Sequence, residues 1–284
     1  MADNYLFEAD ELYASLGQEN LLIIDTRDEA VYSKGHIPGA VNISDIFHYL
    51  CLSENGGYPA MVQHFEILLK STGLRKNDRV VVYEDAMDNG YGQACRGWFL
   101  LNYLGHKNTQ VLHGGIRAWN SRKLPLSTDP VSREPSDFVA EVDNSIIVSN
   151  EQMLKGINDP SIIIVDVRDY AEWIGANSSP YGYDFCPRKG RIPGASWLEW
   201  YRLMRHKQGI PWFRSKDEIL STAGQLEISP ETEVYLYCFK GARTSNTMLA
   251  LKHAGIKKVK NYFMSWNEWS RNMTLPIEEG YPDS

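Results

Sequence analysis

Short β-branched runs alternate along the chain with longer helical stretches. The runs fall at 21–24, 80–83 and 109–112, and again at 162–165, 234–237 and 258–262. The helical stretches fall at 60–72, 93–104 and 115–122, then at 150–156, 215–223, 244–254 and 265–272. Strand and helix in alternation predict an α/β chain built from mostly parallel sheets flanked by helices.

The pattern occurs twice. Leu21-Leu22-Ile23-Ile24-Asp25-Thr26-Arg27-Asp28 returns as Ile162-Ile163-Ile164-Val165-Asp166-Val167-Arg168-Asp169, 141 residues later. Gly35-His36-Ile37-Pro38-Gly39-Ala40 returns as Gly190-Arg191-Ile192-Pro193-Gly194-Ala195, 155 residues later, so the second copy carries 14 extra residues between these signatures. Val80-Val81-Val82-Tyr83 matches Val234-Tyr235-Leu236-Tyr237, and Ala118-Trp119 with Leu124-Pro125 echo Glu268-Trp269 with Leu275-Pro276. Four matches in one order indicate a duplicated domain rather than a short repeat. The polar, proline-bearing stretch 129–145 reads as a linker, giving domains 1–128 and 146–284.

Composition narrows the class without choosing a function. The 284 residues are 43% hydrophobic and 23% charged, ordinary values for globular chains of two domains. The net charge of −7 offers no general attraction for nucleic acid or anionic lipid. No basic stretch followed by an apolar one opens the chain, so no signal peptide is expected, and no apolar run is long enough for a membrane span. Four cysteines, none in a C-x-x-C pair, argue against a disulfide scaffold or a zinc knuckle. No metal or dinucleotide motif appears, so no cofactor is expected. A reducing cytoplasm is the expected home.

One cysteine stands apart. Cys238 follows the apolar run 234–237 and precedes the helical stretch that begins near Ser245. Backbone N–H groups of such a loop and of a helix's first turn converge with partial positive charge and favour an anion. A free thiol of ordinary pKa is only about 3% thiolate at neutral pH, and the thiolate is the nucleophile. Gly241 lets the loop curl, Arg243 is a fixed cation with a planar donor fork, and Lys240 is a mobile cation.

These motifs together resemble the rhodanese family, in particular its tandem two-domain sulfurtransferases. The resemblance rests on Asp25-Thr26-Arg27 and Asp166-Val167-Arg168, on the paired Ile-Pro-Gly-Ala signatures, and on Gly114-Gly115-Ile116-Arg117-Ala118-Trp119. It rests also on Ser265-Trp266-Asn267-Glu268-Trp269 and on Cys238-x-x-Gly241-x-Arg243. It implies two rhodanese-like domains with an active site near their interface and Cys238 as a persulfide-forming nucleophile. Phe239, Lys240, Gly241, Ala242, Arg243 and Thr244 would cradle the donor. The first copy has Glu84-Asp85 in place of Cys238-Phe239, matching the family habit of an N-terminal domain without the nucleophile.

The implied reaction moves a sulfane sulfur from thiosulfate or 3-mercaptopyruvate to cyanide or a thiol, with no nucleic acid, membrane or cofactor involved, in a chain compatible with a monomer. Four residues separate Cys238 from Arg243. The related dual-specificity phosphatases place five there, so the shorter loop favours sulfur over phosphoryl transfer. Relatives that prefer thiosulfate carry basic residues after the cysteine, whereas those that prefer 3-mercaptopyruvate tend to carry Gly-Ser. Phe239-Lys240 therefore points to thiosulfate. Asn144 stands where animal relatives have a linker arginine, and Met264 where glycine is common. A non-catalytic rhodanese-like binding module is the contrasting reading, and the intact cysteine loop speaks against it.

Other residues have plainer expectations. Asp25, Arg27, Asp166 and Arg168 are expected to fix loops by ion pairs, and Cys51, Cys95 and Cys186 to be small buried hydrophobes. His36 has no histidine counterpart in the second copy. Trp197, Trp200, Trp212 and Phe213 are candidate walls of a cleft, and Arg96, Arg205 and Arg214 candidates for a positive field around it.

Overall fold

The computed structural model describes residues 4–86 and 90–281. Among these, one compact unit takes in the chain up to Tyr49, Gly56–Asp143 and Met204–Phe213. The second takes in Leu50–Asn55, Asn144–Leu203 and the chain from Arg214 onward.

The first unit is built on a five-stranded parallel sheet. Its strands are β1 (Leu6–Phe7), β2 (Leu21–Asp25), β3 (Ala40–Asn42), β4 (Arg79–Tyr83) and β5 (Thr109–Leu112), in the order β1-β5-β4-β2-β3. Its helices are α1 (Ala9–Ser15), α2 (Glu29–Tyr32), α3 (Asp45–His48), α4 (Gly57–Ser71), α5 (Gly92–Tyr103) and α6 (Gly115–Ser121). Both faces of β2 and β4 are buried, which is why their sequences are apolar runs rather than alternating ones. One face packs Phe7, Leu12, Ile23, Val81, Leu112, Ile116 and Trp119 into a continuous core.

The second unit repeats the plan. Its helices are α7 (Asn150–Gly156), α8 (Tyr170–Trp173), α9 (Lys216–Gly224), α10 (Ala242–His253) and α11 (Ser265–Trp269). In chain order the remaining strands are β6 (Ile162–Asp166), β7 (Ser196–Trp197), β8 (Met204–Lys207), β9 (Ile210–Phe213), β10 (Glu233–Tyr237) and β11 (Val259–Asn261). The unit's parallel sheet runs β11-β10-β6-β7, the counterpart of β5-β4-β2-β3. The counterpart of β1 is a single parallel bridge from Ile147 to Asn261. Among the described residues, no helix is long and apolar enough to cross a membrane.

Two segments sit differently from the sequence expectation. The stretch expected as a linker, 129–145, lies along the first unit as far as Asp143. Ser136 N–H donates to the Lys70 carbonyl, Glu141 N–H to that of Leu104 and Asp143 N–H to that of Tyr103. Prolines and polar residues suppress regular structure here, but backbone donors still need partners. Strands β8 and β9 form an antiparallel hairpin that belongs to the first unit, although it lies in the second half of the sequence. Trp212 there meets His113 edge-on, and Phe213 meets Tyr91.

The twin Asp-Arg pairs have matching geometry. Arg27 Nε and Nη2 donate to the Asp25 carboxylate at 2.6–3.0 Å, and Nη2 reaches the Gly35 carbonyl. Arg168 does the same with Asp166 and the Gly190 carbonyl. Each pair ties the end of a buried strand to the Ile-Pro-Gly turn behind it.

Candidate active site

Strand β10 ends at Tyr237, and the next residue, Cys238, lies where the strand gives way to the turn before α10. Its backbone is held on both sides. Cys238 N–H donates to Ser265 Oγ at 3.0 Å, and the Cys238 carbonyl accepts Trp266 N–H at 3.0 Å. The Phe239 carbonyl accepts Asn267 N–H at 3.1 Å, so α11 braces the loop from behind.

The loop then reverses at Gly241, where φ is +92°. A side chain is excluded there twice over: the left-handed backbone disfavours it, and a Cβ would lie 2.5 Å from the Phe263 ring. The reversal turns Gly241 N–H back onto Cys238 Sγ at 3.2 Å. Thr244 Oγ1 stands 3.8 Å from the same sulfur. Ser265 Oγ is 3.9 Å away and gives its proton to the Tyr262 carbonyl.

Burial alone would push the thiol up, since Cys238 is only 1% exposed. The Arg243 charge, the N–H groups of Thr244 and Gly241 and the Thr244 hydroxyl outweigh it, and the thiol lies below its ordinary value. Arg243 acts from a fixed place. Its guanidinium forks onto Glu172 at 2.6 and 2.9 Å, and Asp169 stands 3.5 Å away. Burial pushes the Glu172 carboxyl up, and Arg243 more than reverses this, leaving it below the usual carboxylate range.

The structure brings Cys238, Gly241, Arg243 and Thr244 together around one sulfur. Ala242 opens α10 as a small buried residue, and the Phe239 ring turns into an aromatic cluster with Tyr181 and Phe185. Lys240 departs from expectation. It is 9% exposed, with its ammonium 5.1 Å over the Tyr181 ring, so it is held rather than swinging in solvent.

Two of the candidate field arginines are engaged elsewhere. Arg96 donates to the carbonyls of Ile46, Phe47 and Tyr49, and Arg214 to the Arg202 carbonyl and Glu218, while Arg205 is exposed on β8. The other three cysteines are buried and form no disulfide among the described residues.

Sequence reasoning did not single out Glu172, Ser265, Tyr181 or Phe185. A signal for Ser265 existed in the duplication. Its φ of +57° equals that of Gly115 at the matching place in the first copy. A residue with a side chain in that conformation costs about 1–2 kcal/mol, and here the side chain supplies the hydroxyl that receives Cys238 N–H.

In the first unit the place of Cys238 is taken by Glu84. The Glu84 carbonyl accepts Ile116 N–H at 2.9 Å, as the Cys238 carbonyl accepts Trp266 N–H. The Glu84 carboxylate accepts the N–H of Ala94 in the first turn of α5. An internal carboxylate therefore fills the anion-favouring spot that the thiol fills in the second unit. Among the described residues, no group of three or more His, Cys, Asp or Glu side chains is arranged to hold a metal ion.

Comparison with known proteins agrees with this duplication. A thiosulfate sulfurtransferase of Azotobacter vinelandii is 28% identical over 273 residues, covering 96% of each chain. A probable 3-mercaptopyruvate sulfurtransferase of Pseudomonas aeruginosa is 28% identical over 296 residues, covering 99% of this chain and 100% of that one. Among solved structures, an anaerobic ergothioneine biosynthesis enzyme from Chlorobium limicola, bound to trimethyl histidine, superposes with a TM-score of 0.84 at 25% identity. That match covers 98% of this chain and 71% of that one. The rhodanese-like domain model matches residues 8–122 and again 149–272. With both halves of the chain matched, this protein belongs to the rhodanese-like domain family and carries that domain twice.

Proposed function

We propose that the protein is a sulfurtransferase that carries a sulfane sulfur on Cys238, with thiosulfate as the preferred donor. The Cys238 thiolate attacks the outer sulfur of thiosulfate. A new S–S bond forms, the bond to the sulfonate sulfur breaks, and sulfite leaves with its electron pair. The resulting persulfide anion is then attacked at its terminal sulfur by cyanide or an acceptor thiolate. Thiocyanate or a new persulfide departs, and the Cys238 thiolate returns.

The observation that carries this reading is the sulfur's surroundings: Gly241 N–H at 3.2 Å, Thr244 beside it, and a thiol lowered despite full burial. Such a site favours the thiolate over the thiol and would shelter a persulfide anion on the same donors. The curated relatives named as thiosulfate and 3-mercaptopyruvate sulfurtransferases support the reaction class. Lys240 beside the nucleophile supports an anionic sulfonate donor, and Phe239, Lys240, Gly241, Ala242, Arg243 and Thr244 form its binding loop. These groups all lie in one unit, in keeping with a functional monomer, and four buried cysteines outside any disulfide suit a reducing cytoplasm.

Intact mass after incubation with thiosulfate tests the proposal. Wild type should gain one sulfur and lose it to cyanide, and Cys238→Ser should gain none. No gain from either thiosulfate or 3-mercaptopyruvate would leave a binding module. Initial rates with both donors decide the preference, and a far larger kcat/KM for 3-mercaptopyruvate would overturn the choice of thiosulfate.

A further inference from the structure

The 14 residues by which the second copy exceeds the first have no place in the chemistry above. In the first copy three residues join α2 to His36; in the second, the chain makes an excursion from Ile174 to Gly190 before reaching Arg191. The excursion is built rather than loose. Arg188 donates to the carbonyls of Trp269, Ser270, Asn272 and Leu275 at 2.6–2.9 Å, fixing its base. Ser178 Oγ receives Cys186 N–H at 2.9 Å, and Ser179 bridges to Gly182, closing the tip.

The tip delivers two aromatic rings to the thiol loop. Tyr181 lies 5.2 Å and Phe185 5.7 Å from the Phe239 ring, and 5.6 Å from each other. Tyr181 also receives the Lys240 ammonium on its ring at 5.1 Å. Tyr181 and Phe185 are about half exposed, whereas Lys240 and Phe239 are buried beneath them. A lysine on a flexible four-carbon stem spreads its charge over many positions. A ring face at cation–π distance narrows that spread and places the charge.

We infer that Tyr181 is a positioning residue: it holds the Lys240 ammonium in place on the thiol loop and thereby gives Cys238 its preference for small anionic reaction partners over neutral ones. The inference deepens the proposed function, which supplies the natural anion, but the charge preference itself is measurable without any sulfur transfer.

The experiment compares alkylation of Cys238 by iodoacetate and by iodoacetamide, reagents of similar size that differ in charge, beside kcat/KM for thiosulfate. Tyr181→Leu keeps an apolar side chain and deletes the ring face. It should lower the iodoacetate-to-iodoacetamide rate ratio by about three- to tenfold, as should Lys240→Met. Tyr181→Phe should retain the wild-type ratio, and Tyr181→Leu added to Lys240→Met should lower it no further.

A wild-type ratio in Tyr181→Leu, or in Lys240→Met, would overturn the inference. So would equal slowing of both reagents, which is the mark of a merely structural role. A ratio that shifts as expected in a protein that takes sulfur from no donor would uphold Tyr181 and sink the sulfurtransferase reading instead.

Discussion

Replacing Gly241 by alanine tests the thiol cradle at its tightest point. The backbone there has φ of +92°, which a residue with a Cβ adopts at a cost of about 1–2 kcal/mol. The new Cβ would also lie 2.5 and 2.7 Å from two carbons of the Phe263 ring. Phe263 is fully buried, so its ring cannot swing aside into solvent, and forcing a methyl into such packing costs about 1–3 kcal/mol.

Together these give a loss of about 2–5 kcal/mol, or about 5–15 °C in Tm for a unit of this size. The same displacement pulls Gly241 N–H away from Cys238 Sγ. A hydrogen bond to the charged form of an acceptor favours that form, so losing it should raise the thiol. Calorimetry reads the first effect, and the pH profile of iodoacetamide alkylation reads the second. A Gly241→Ala protein with wild-type Tm and an unmoved alkylation midpoint would refute the claim that this glycine shapes the cradle.

Other outcomes follow from the same geometry. Arg243→Met strands the buried Glu172 carboxylate and should destabilise by about 3–5 kcal/mol, with the Cys238 thiol rising; Arg243→Met with Glu172→Met should recover most of the stability in urea melts but not the low thiol. Because the folded thiol lies below its ordinary value, the folded state binds fewer protons than the unfolded chain between the two values. Its stabilisation is complete above the ordinary value and is lost as pH falls through the lowered one. The Tm advantage of wild type over Cys238→Ser should therefore widen as pH rises towards 9, and a difference flat with pH counts against a lowered thiol. Glu84→Leu leaves the buried Ala94 N–H without its acceptor and should cost about 1–3 kcal/mol, read as a lower Tm with sulfur loading of Cys238 intact.

The strands were legible because sheets covered on both faces need apolar runs, as in Val80-Val81-Val82-Tyr83. The cysteine loop was legible because a strand end, a glycine and a helix start stand within a few residues of one another. The hairpin at 204–213 was not. Its Arg205-His206-Lys207 stretch is charged rather than apolar, and its partner Trp212 packs on His113, about a hundred residues away in sequence. Lys240 reads as a mobile cation because nothing near it in sequence announces the Tyr181 ring. Glu172 was hidden for the same reason: its partner Arg243 is 71 residues distant, and only the tertiary fold makes them neighbours.

Glu84 gives the duplication a further meaning. The junction of strand and helix in this fold exposes amide groups that must face negative charge, whether or not any reaction takes place there. One copy places the Glu84 carboxyl group there, as an acceptor for the Ala94 N–H. The other places the Cys238 thiol there, whose charge depends on pH. The two copies thus differ in what stands at the same junction, a carboxyl group in one and a thiol in the other.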